Sequence, residues 1–472
     1  MPSSVPEPRA WRPTAARAQG KSAVVIESGP YGTTCARVGC MPSKLLIAAS
    51  EAAHMLALAP GFGVHAGQTR IDGKAVMARV RSERDRFVGF VLEGVDNIAP
   101  ADKLRGHARF TGPHTLQVGD HTVVAAARVV IATGSTPIML PKLRDVGKGV
   151  IVSDDVFEWT DLPSSVAVIG TGVIGLELGQ ALSLARRAGQ LLCTRRQRGP
   201  IDRSRCAARG RADAGRGNRL ALPADHRGGA PGRRRGRADH PRRHGVQRTE
   251  RFQYVLVAAG RKPNVDAIGI EHTGLALDHK GIPLFDPATM QCGTSHIFIA
   301  GDANNERPVL PEAADHGKIA GDNAGRYPDV RPGLRRTPLA IAFTEPQIAT
   351  LGETYRELCA EGRPKFAIGK VSFTNQGRSR VMLQNHGMLR VYGEYASGRF
   401  LGAEMIGPRA ENLGHLLAWA CQARLTVAQM LDMPFYHPVI EEGVRTALRD
   451  LAAELEKGAP PVECGAECLP GV

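Results

Sequence analysis

Val166-Ala167-Val168-Ile169-Gly170-Thr171-Gly172-Val173-Ile174-Gly175-Leu176-Glu177 joins an apolar four-residue run to a glycine-rich turn and then to an apolar-periodic stretch. The run reads as a buried strand, and a helix is predicted from Ile174 onward. Gly170 permits the tight turn. Gly172 lets a pyrophosphate approach the backbone, and Gly175 lets helix and strand pack closely. The glycine spacing alone is weak. A strand before it and a helix after it make it a dinucleotide-binding turn.

The same form recurs on either side. Arg128-Val-Val-Ile-Ala132-Thr133-Gly134-Ser135, Tyr254-Val-Leu-Val-Ala-Ala-Gly260 and Ile297-Phe-Ile-Ala-Gly301-Asp302 each read as a buried strand running into a glycine turn. Ala23-Val-Val-Ile-Glu27 is a shorter strand ending in an acid. Helices are predicted from Leu45 to Leu58, with Pro42 near the first turn, and over 74–98, with two strand-like pieces near 107–124. Strands alternating with helices indicate parallel α/β sheets. After Pro338 the pattern changes to longer strands near 366–374, 388–395 and 399–406 and helices over 409–423 and 440–456, a separate α+β domain.

The chain has 472 residues, 43% of them hydrophobic, which excludes wholesale disorder and implies more than one domain. Its formal charge of +15 is concentrated in residues 186–248, which hold 19 Arg, 4 Asp and neither Lys nor Glu. The remainder is neutral, so the charge says little about partners, and no nucleic-acid partner is expected of the other domains. This stretch has no aromatic residue and only six Val, Ile, Leu or Met, too few to offset the entropy of ordering it. It reads as a segment translated in the wrong frame from a GC-rich gene. The alternatives are a disordered insert or an Arg-rich nucleic-acid-binding one. No run of about eighteen apolar residues suggests a membrane span. Residues 1–20 carry four prolines and no apolar core of a signal peptide, and nine scattered cysteines do not form a secreted framework, so a cytosolic location is expected.

Chemistry concentrates at Cys35-Ala-Arg-Val-Gly-Cys40-Met-Pro-Ser-Lys44. Two thiols at this spacing close a small ring if the chain turns, and Gly32 and Gly39 permit the turn. Cys40 precedes a helix N-terminus and Lys44 lies one turn on, both favouring a thiolate. Spacing alone leaves a redox pair and two buried unpaired cysteines about equally plausible. A lone His437 near the C-terminus is, in isolation, more often structural than catalytic. No metal-ligand pattern is apparent.

Tyr31-Gly-Thr-Thr-Cys35 through Lys44, together with the Gly170 turn and His437-Pro438 followed by Glu442, resembles the flavin-dependent pyridine nucleotide–disulfide oxidoreductases, most of all their dihydrolipoyl dehydrogenase branch. The resemblance covers about residues 21–185 and 249–456. It implies FAD and NAD(P) as cofactors, a redox disulfide of Cys35 and Cys40, and a His437 base oriented by Glu442 that serves the other subunit of a homodimer. Cys35 would exchange with the substrate and Cys40 would face the flavin. NAD(P) would sit at Gly170, Gly172 and Gly175, with Gly260 nearby, and Glu177 would pair with Lys44 beside the flavin. Glu27 would hold a ribose of FAD, Asp302 after Gly301 the ribityl chain, and Ala132, Thr133 and Gly134 the linker beside it. The substrate would be a small-molecule or lipoyl-protein dithiol, with no membrane partner. Glutathione or mercuric reductase is the runner-up, and Cys464 and Cys468 resemble the C-terminal thiol pairs of some members. A catalytically impaired relative is a further alternative.

The implied architecture is two parallel-sheet dinucleotide-binding (Rossmann-like) domains plus a C-terminal α+β dimerisation domain. Residues 1–148 begin the FAD-binding domain, 149–259 bind NAD(P), 260–336 complete the FAD-binding domain, 337–458 dimerise and 459–472 form a tail. Four departures stand out. Thr33 replaces the family's second glycine, and Val439 its threonine after the proline. The adenine-end glycines of FAD should precede Glu27 by about 23 residues; Ser4, Pro6 and Arg9 stand there, and the first βα unit is read as degenerate. Residues 186–248 are expected to remove the strand that distinguishes NADH from NADPH.

Overall fold

The computed structural model describes residues 14–185, 189–192, 252–360 and 362–459. A five-residue helix, α1 (Thr14–Ala18), leads to β1 (Val25–Glu27). Then come α2 (Thr34–Val38), α3 (Cys40–Leu58) and α4 (Gly73–Asp96). β1 pairs in parallel with β2 (Lys103–Arg105), Val25 opposite Lys103. An antiparallel meander follows, β3 (Ala108–Gly112), β4 (Thr115–Val118) and β5 (Thr122–Ala125), where the sequence shows only two strand-like pieces. β6 (Val129–Ile131) runs parallel to a later strand, and β7 (Ser135–Pro137) turns away from it.

The nucleotide domain is a four-stranded parallel sheet. β8 (Val150–Val152), β9 (Val166–Ile169), β10 (Gly189–Leu192) and β11 (Tyr254–Val257) lie in the order β10-β9-β11-β8. All four residues of β9 are buried, as a strand covered on both faces requires. Its covering helix is α5 (Val173–Leu184). Leu178, Ala181 and Leu182 of α5 share one core with Leu46 and Ile47 of α3, Met77 and Val80 of α4, and Val166, Val168 and Leu256 of the sheet. The segment Thr34–Phe62 is long and apolar enough, by length and composition alone, to cross a membrane. In the fold α3 is instead the helix that ties the first domain to the second.

β12 (Arg261–Pro263) pairs antiparallel with β7, and β13 (Ile297–Ile299) pairs in parallel with β6. Among the described residues, the pairs β1–β2 and β13–β6 are not bonded to each other. α6 (Leu310–Arg326) covers β13 through Ile319, Ala320 and Ala324. β14 (Leu339–Ala342), β15 (Gln347–Gly352), β16 (Phe366–Ser372), β17 (Met388–Glu394) and β18 (Phe400–Gly407) form the last sheet, antiparallel, in the order β14-β15-β18-β17-β16. A one-turn helix, α7 (Tyr355–Leu358), links β15 to β16, and α8 (Ala410–Gln422) and α9 (Glu442–Glu456) cover the sheet. Leu389, Val391, Phe400, Leu413, Leu417, Val444 and Leu448 make its core.

Two expectations concern the unusual stretches. The first βα unit, expected to be degenerate, is not lost from Thr14 onward: the five-residue α1 docks on α6. A Cβ built on Gly321 would lie 2.6 Å from Ala15 Cβ, so this glycine allows the close approach. Arg17 holds the helix end by a 2.5 Å ion pair to Asp102 and a 3.1 Å bond to the Ala23 carbonyl. Residues 186–248 do not remove the strand beside β9 either. β10 pairs with it in register, Gly189 opposite Val166, because four residues of extended chain suffice for the ladder. Residues 193–251, with the rest of the Arg-rich stretch, lie outside the described residues.

The three parts meet near Glu345. Its amide donates to Gln180 Oε1 and its carbonyl accepts from Gln180 Nε2, each at 2.7 Å. Burial pushes its carboxyl up to about 7, with Glu51 of α3 adding to the rise and Arg409 opposing it. The folded state therefore binds this proton more tightly than the unfolded chain. Stability from it is present at low pH and is lost as pH rises toward 7. Glu345→Gln is expected to raise the melting temperature at pH 8, with the gain shrinking at pH 5, as a pH series of melts would show.

Candidate active site

The dithiol is positioned by two helix starts. Thr33 caps α2, its Oγ1 accepting from the Ala36 amide at 3.2 Å. Gly39 precedes Cys40 at the first position of α3; a Cβ there would meet the Thr34 carbonyl oxygen at 2.9 Å, so the turn between the thiols needs glycine. The two sulfurs are not joined in this structure. The hydrogen bond between them dominates their acidities. As its acceptor, Cys40 is lowered to about 7, with Lys44 also favouring the thiolate. Cys35, the donor, is raised, first by that bond and then by burial.

Thr33 is buried with φ 54° and ψ 146°, a conformation in which glycine alone is free of strain. A β-branched residue there costs of order 1–3 kcal/mol, whereas a glycine cap is weaker than a threonine cap by only a few tenths. Thr33→Gly, which restores the family's residue, is expected to raise the unfolding free energy by about 1 kcal/mol, as a shift in the urea midpoint at constant slope.

Lys44, one turn into α3, reaches across to α5: its Nζ lies 2.7 Å from Glu177 Oε2. Glu177 is 4% exposed, and its other oxygen accepts the Phe343 amide at 2.9 Å. Lys44 Nζ also lies 4.6 Å from the Phe343 ring centroid. One buried carboxylate thus ties the dithiol helix to the nucleotide domain and to the C-terminal domain. Phe343 escapes the sequence reading, because nothing local marks it.

The dinucleotide turn fits its ligand. Gly170 has φ 119°, and a Cβ on it would lie 2.2 Å from the Ala258 carbonyl oxygen. A Cβ on Gly175 would lie 2.3 Å from the Gly170 carbonyl oxygen. Gly172 caps α5 with no side chain, leaving the first amides of the helix to an anion. Gly260 has φ 116° just after β11. The flavin end also fits. Gly134 and Gly301 take φ 68° and 66° at the ends of β6 and β13. Asp302 accepts Ser135 Oγ at 2.7 Å, and Arg261 donates to Ser135 Oγ at 2.8 Å and to its carbonyl at 2.7 Å. Asn264 Nδ2 donates to the Thr133 carbonyl at 3.0 Å, and Ala132 precedes it at the exposed strand end. Ser135 and Arg261, which hold Asp302 in place, are not marked by the sequence beyond standing next to Gly134 and Gly260. Glu27 ends β1 and accepts the Gly29 amide at 2.7 Å. The residues at the expected pyrophosphate glycines lie outside the described ones.

His437 stands apart from the thiols. Its Nδ1 lies 3.0 and 3.1 Å from the two oxygens of Glu442, at the first turn of α9, while its side chain is 80% exposed. The imidazole's hydrogen bond is the main reason the Glu442 carboxyl is held below its usual range. The Val439 amide and Arg445 also bind Glu442. Glu441 precedes the helix and has no such contact with the ring. Leu416, Trp419, Met433 and Tyr436 are exposed in the same domain, Trp419 by 72%.

Comparison with known proteins agrees with this geometry. Residues 12–198 match the family model described as pyridine nucleotide-disulphide oxidoreductase, and residues 339–448 match that family's dimerisation domain. Mercuric reductase of Shigella flexneri is 30% identical over 93% of this chain and 78% of its own length. Dihydrolipoyl dehydrogenase of Bacillus subtilis (strain 168) is 28% identical over 91% of this chain and 93% of its own. The crystal structure of LpdA from Mycobacterium tuberculosis superposes with a TM-score of 0.75 at 23% identity, over 94% of this chain and 97% of that one, a likeness of fold. The chain therefore belongs to the pyridine nucleotide-disulphide oxidoreductases and is an FAD- and NAD(P)-dependent, dihydrolipoyl dehydrogenase-like disulfide reductase.

Proposed function

We propose that the chain oxidises dihydrolipoamide, free or carried on a lipoyl protein, with NAD⁺ as final acceptor. The observation that carries this reading is the placement of Cys35 and Cys40 on successive helix starts, with Lys44 one turn on and 2.7 Å from Glu177. In the oxidised enzyme a substrate thiolate attacks Cys35 Sγ, and the bond to Cys40 breaks with Cys40 leaving as a thiolate. The second substrate thiol attacks the mixed disulfide, closes the lipoamide ring and frees Cys35. Two electrons now reside on the enzyme dithiol. His437 removes the substrate's thiol proton, and Glu442 fixes the ring so that Nε2 is the free nitrogen. Lys44 neutralises the charge left on Cys40. When bound, FAD carries the two electrons between the dithiol and the nicotinamide. Glu27, Ala132, Thr133, Gly134, Gly301 and Asp302 would hold FAD, and Gly170, Gly172, Gly175 and Gly260 would hold NAD(P). The domain limits expected from the sequence, at about 148, 259, 336 and 458, stand as part of this proposal.

An imidazole this exposed needs a thiol pair from elsewhere, and the exposed Trp419, Met433 and Tyr436 supply a surface for a second copy. Each site is then completed by His437 of the other protomer. Cys35→Ser and His437→Gln homodimers should both be nearly inactive. Co-refolding them should restore about a quarter of wild-type turnover, since random pairing makes half the dimers hybrid and each hybrid has one intact site. Absence of any recovery in demonstrated heterodimers would remove the cross-subunit site. The second reading is a mercuric reductase, which the 30% identical relative favours. NADPH oxidation driven by Hg(II), without dihydrolipoamide turnover, would establish it. Cys464 and Cys468 lie outside the described residues.

A further inference from the structure

A cavity of about 540 Å³ opens between the loop before α6 and the C-terminal sheet, away from the dithiol. Its volume is that of a small-molecule site. Four arginines line it, Arg307, Arg363, Arg399 and the exposed Arg424, together with Glu353 and Glu357. Both carboxylates are already engaged. Glu353 pairs with Arg363, and Glu357 takes Arg307 at 3.2 Å and caps α7 through Thr354. Arg399 and Arg424 have no carboxylate partner among the described residues. Arg424 follows the C-terminus of α8, where a cation complements the helix dipole. That accounts for Arg424 alone: Arg399 stands at the start of β18, half-buried. Its charge acts on the Cys421 thiol in the cavity wall, partly offsetting the rise that burial causes there. Pro338 and Leu401 give the cavity an apolar side.

Arg399 and Arg424 line one cavity without a carboxylate partner among the described residues; two such charges match a dianion, and planar guanidinium forks match phosphate oxygens. A phosphomonoester carries roughly −1.5 to −2 charge at pH 7. We propose that this cavity binds a small organic phosphate, its phosphoryl group held by Arg399 and Arg424 and its organic body lying against Pro338 and Leu401. The phosphoryl group is the shared chemistry of a free phosphate ion and an ester, and the apolar wall favours the ester.

Calorimetric titration of the full chain, saturated with FAD and NAD⁺ and at about 0.15 M salt to screen weak surface charge, tests this. Ribose 5-phosphate, inorganic phosphate and succinate are the probes. Ribose 5-phosphate should bind at one site per chain and more tightly than phosphate, with succinate weakest. Arg399→Gln and Arg424→Gln should each weaken ribose 5-phosphate by about 10-fold or more, as loss of a charge-assisted bond implies. Neither should change dithiol turnover or the ligand-free melting temperature, and Arg399→Lys should fall between Arg399→Gln and wild type. Equal binding by wild type and the double variant would place the anion elsewhere, for instance on the Arg-rich stretch, and overturn the proposal. So would succinate binding as tightly as the ester, or no saturable heat. If phosphate equals the ester, the ion is the ligand and the ester assignment falls.

Discussion

Cys35→Ser is expected to lower dihydrolipoamide-dependent NAD⁺ reduction by roughly 10⁴-fold or more, because it removes the nucleophilic sulfur and leaves no group to form the mixed disulfide. The serine hydroxyl can still donate to Cys40, so the acidity of Cys40 should barely move. Cys35→Ala makes the complementary test. It deletes the donor that contributes most to lowering Cys40 to about 7, and only Lys44 remains to favour the thiolate. In the reduced enzyme, the rate of alkylation at Cys40 follows its thiolate fraction. That rate should rise through about pH 7 in Cys35→Ser, and at distinctly higher pH in Cys35→Ala. Full turnover by Cys35→Ser, or the same alkylation profile in both variants, would falsify the division of roles between the two thiols.

The second large effect concerns FAD. The family's pyrophosphate cradle is a row of backbone amides at a glycine turn and helix start. In this chain no glycine occurs before Gly20, and Pro2, Pro6, Pro8 and Pro13 occupy the corresponding region. Proline has no N–H to donate. Losing several charge-assisted hydrogen bonds at roughly 1.5–3 kcal/mol each should weaken FAD by orders of magnitude. The residues proposed for the flavin end, by contrast, keep their mutual contacts: Ser135 with Asp302, Arg261 with Ser135 and Lys44 with Glu177. The protein is therefore expected to purify with well under one flavin per chain and to gain activity as FAD is added, saturating at high concentration. The flavin absorbance of the purified protein and its activity against added FAD would show this. About one tightly held FAD per chain, resistant to dialysis, would mean that the residues before Thr14 make a cradle of another kind.

What could be read from the sequence was local. A β-branched run, a glycine turn and an apolar-periodic stretch sit within about a dozen residues, and their hydrogen bonds are made with near neighbours. Hence β9 and α5, the nucleotide turn and the helix opened by Cys40 are where the pattern puts them, and the two thiols could be named. The pairing of Lys44 with Glu177, 133 residues apart, came from family likeness; periodicity could not give it. Tertiary packing alone decided the rest. It placed Ser135 between Asp302 and Arg261, and set the Phe343 amide on Glu177. It held Thr33 at a positive φ, and paired Gly189–Leu192 with β9 inside an Arg-rich stretch whose composition gives no sign of a strand. β15 went unread for the same reason: a short strand is stabilised by the partner beside it, and that partner, β18, is some 50 residues further on in the chain; β14 in turn depends on β15. Contacts between distant segments depend on which faces the whole fold buries together, and no window of sequence contains that information.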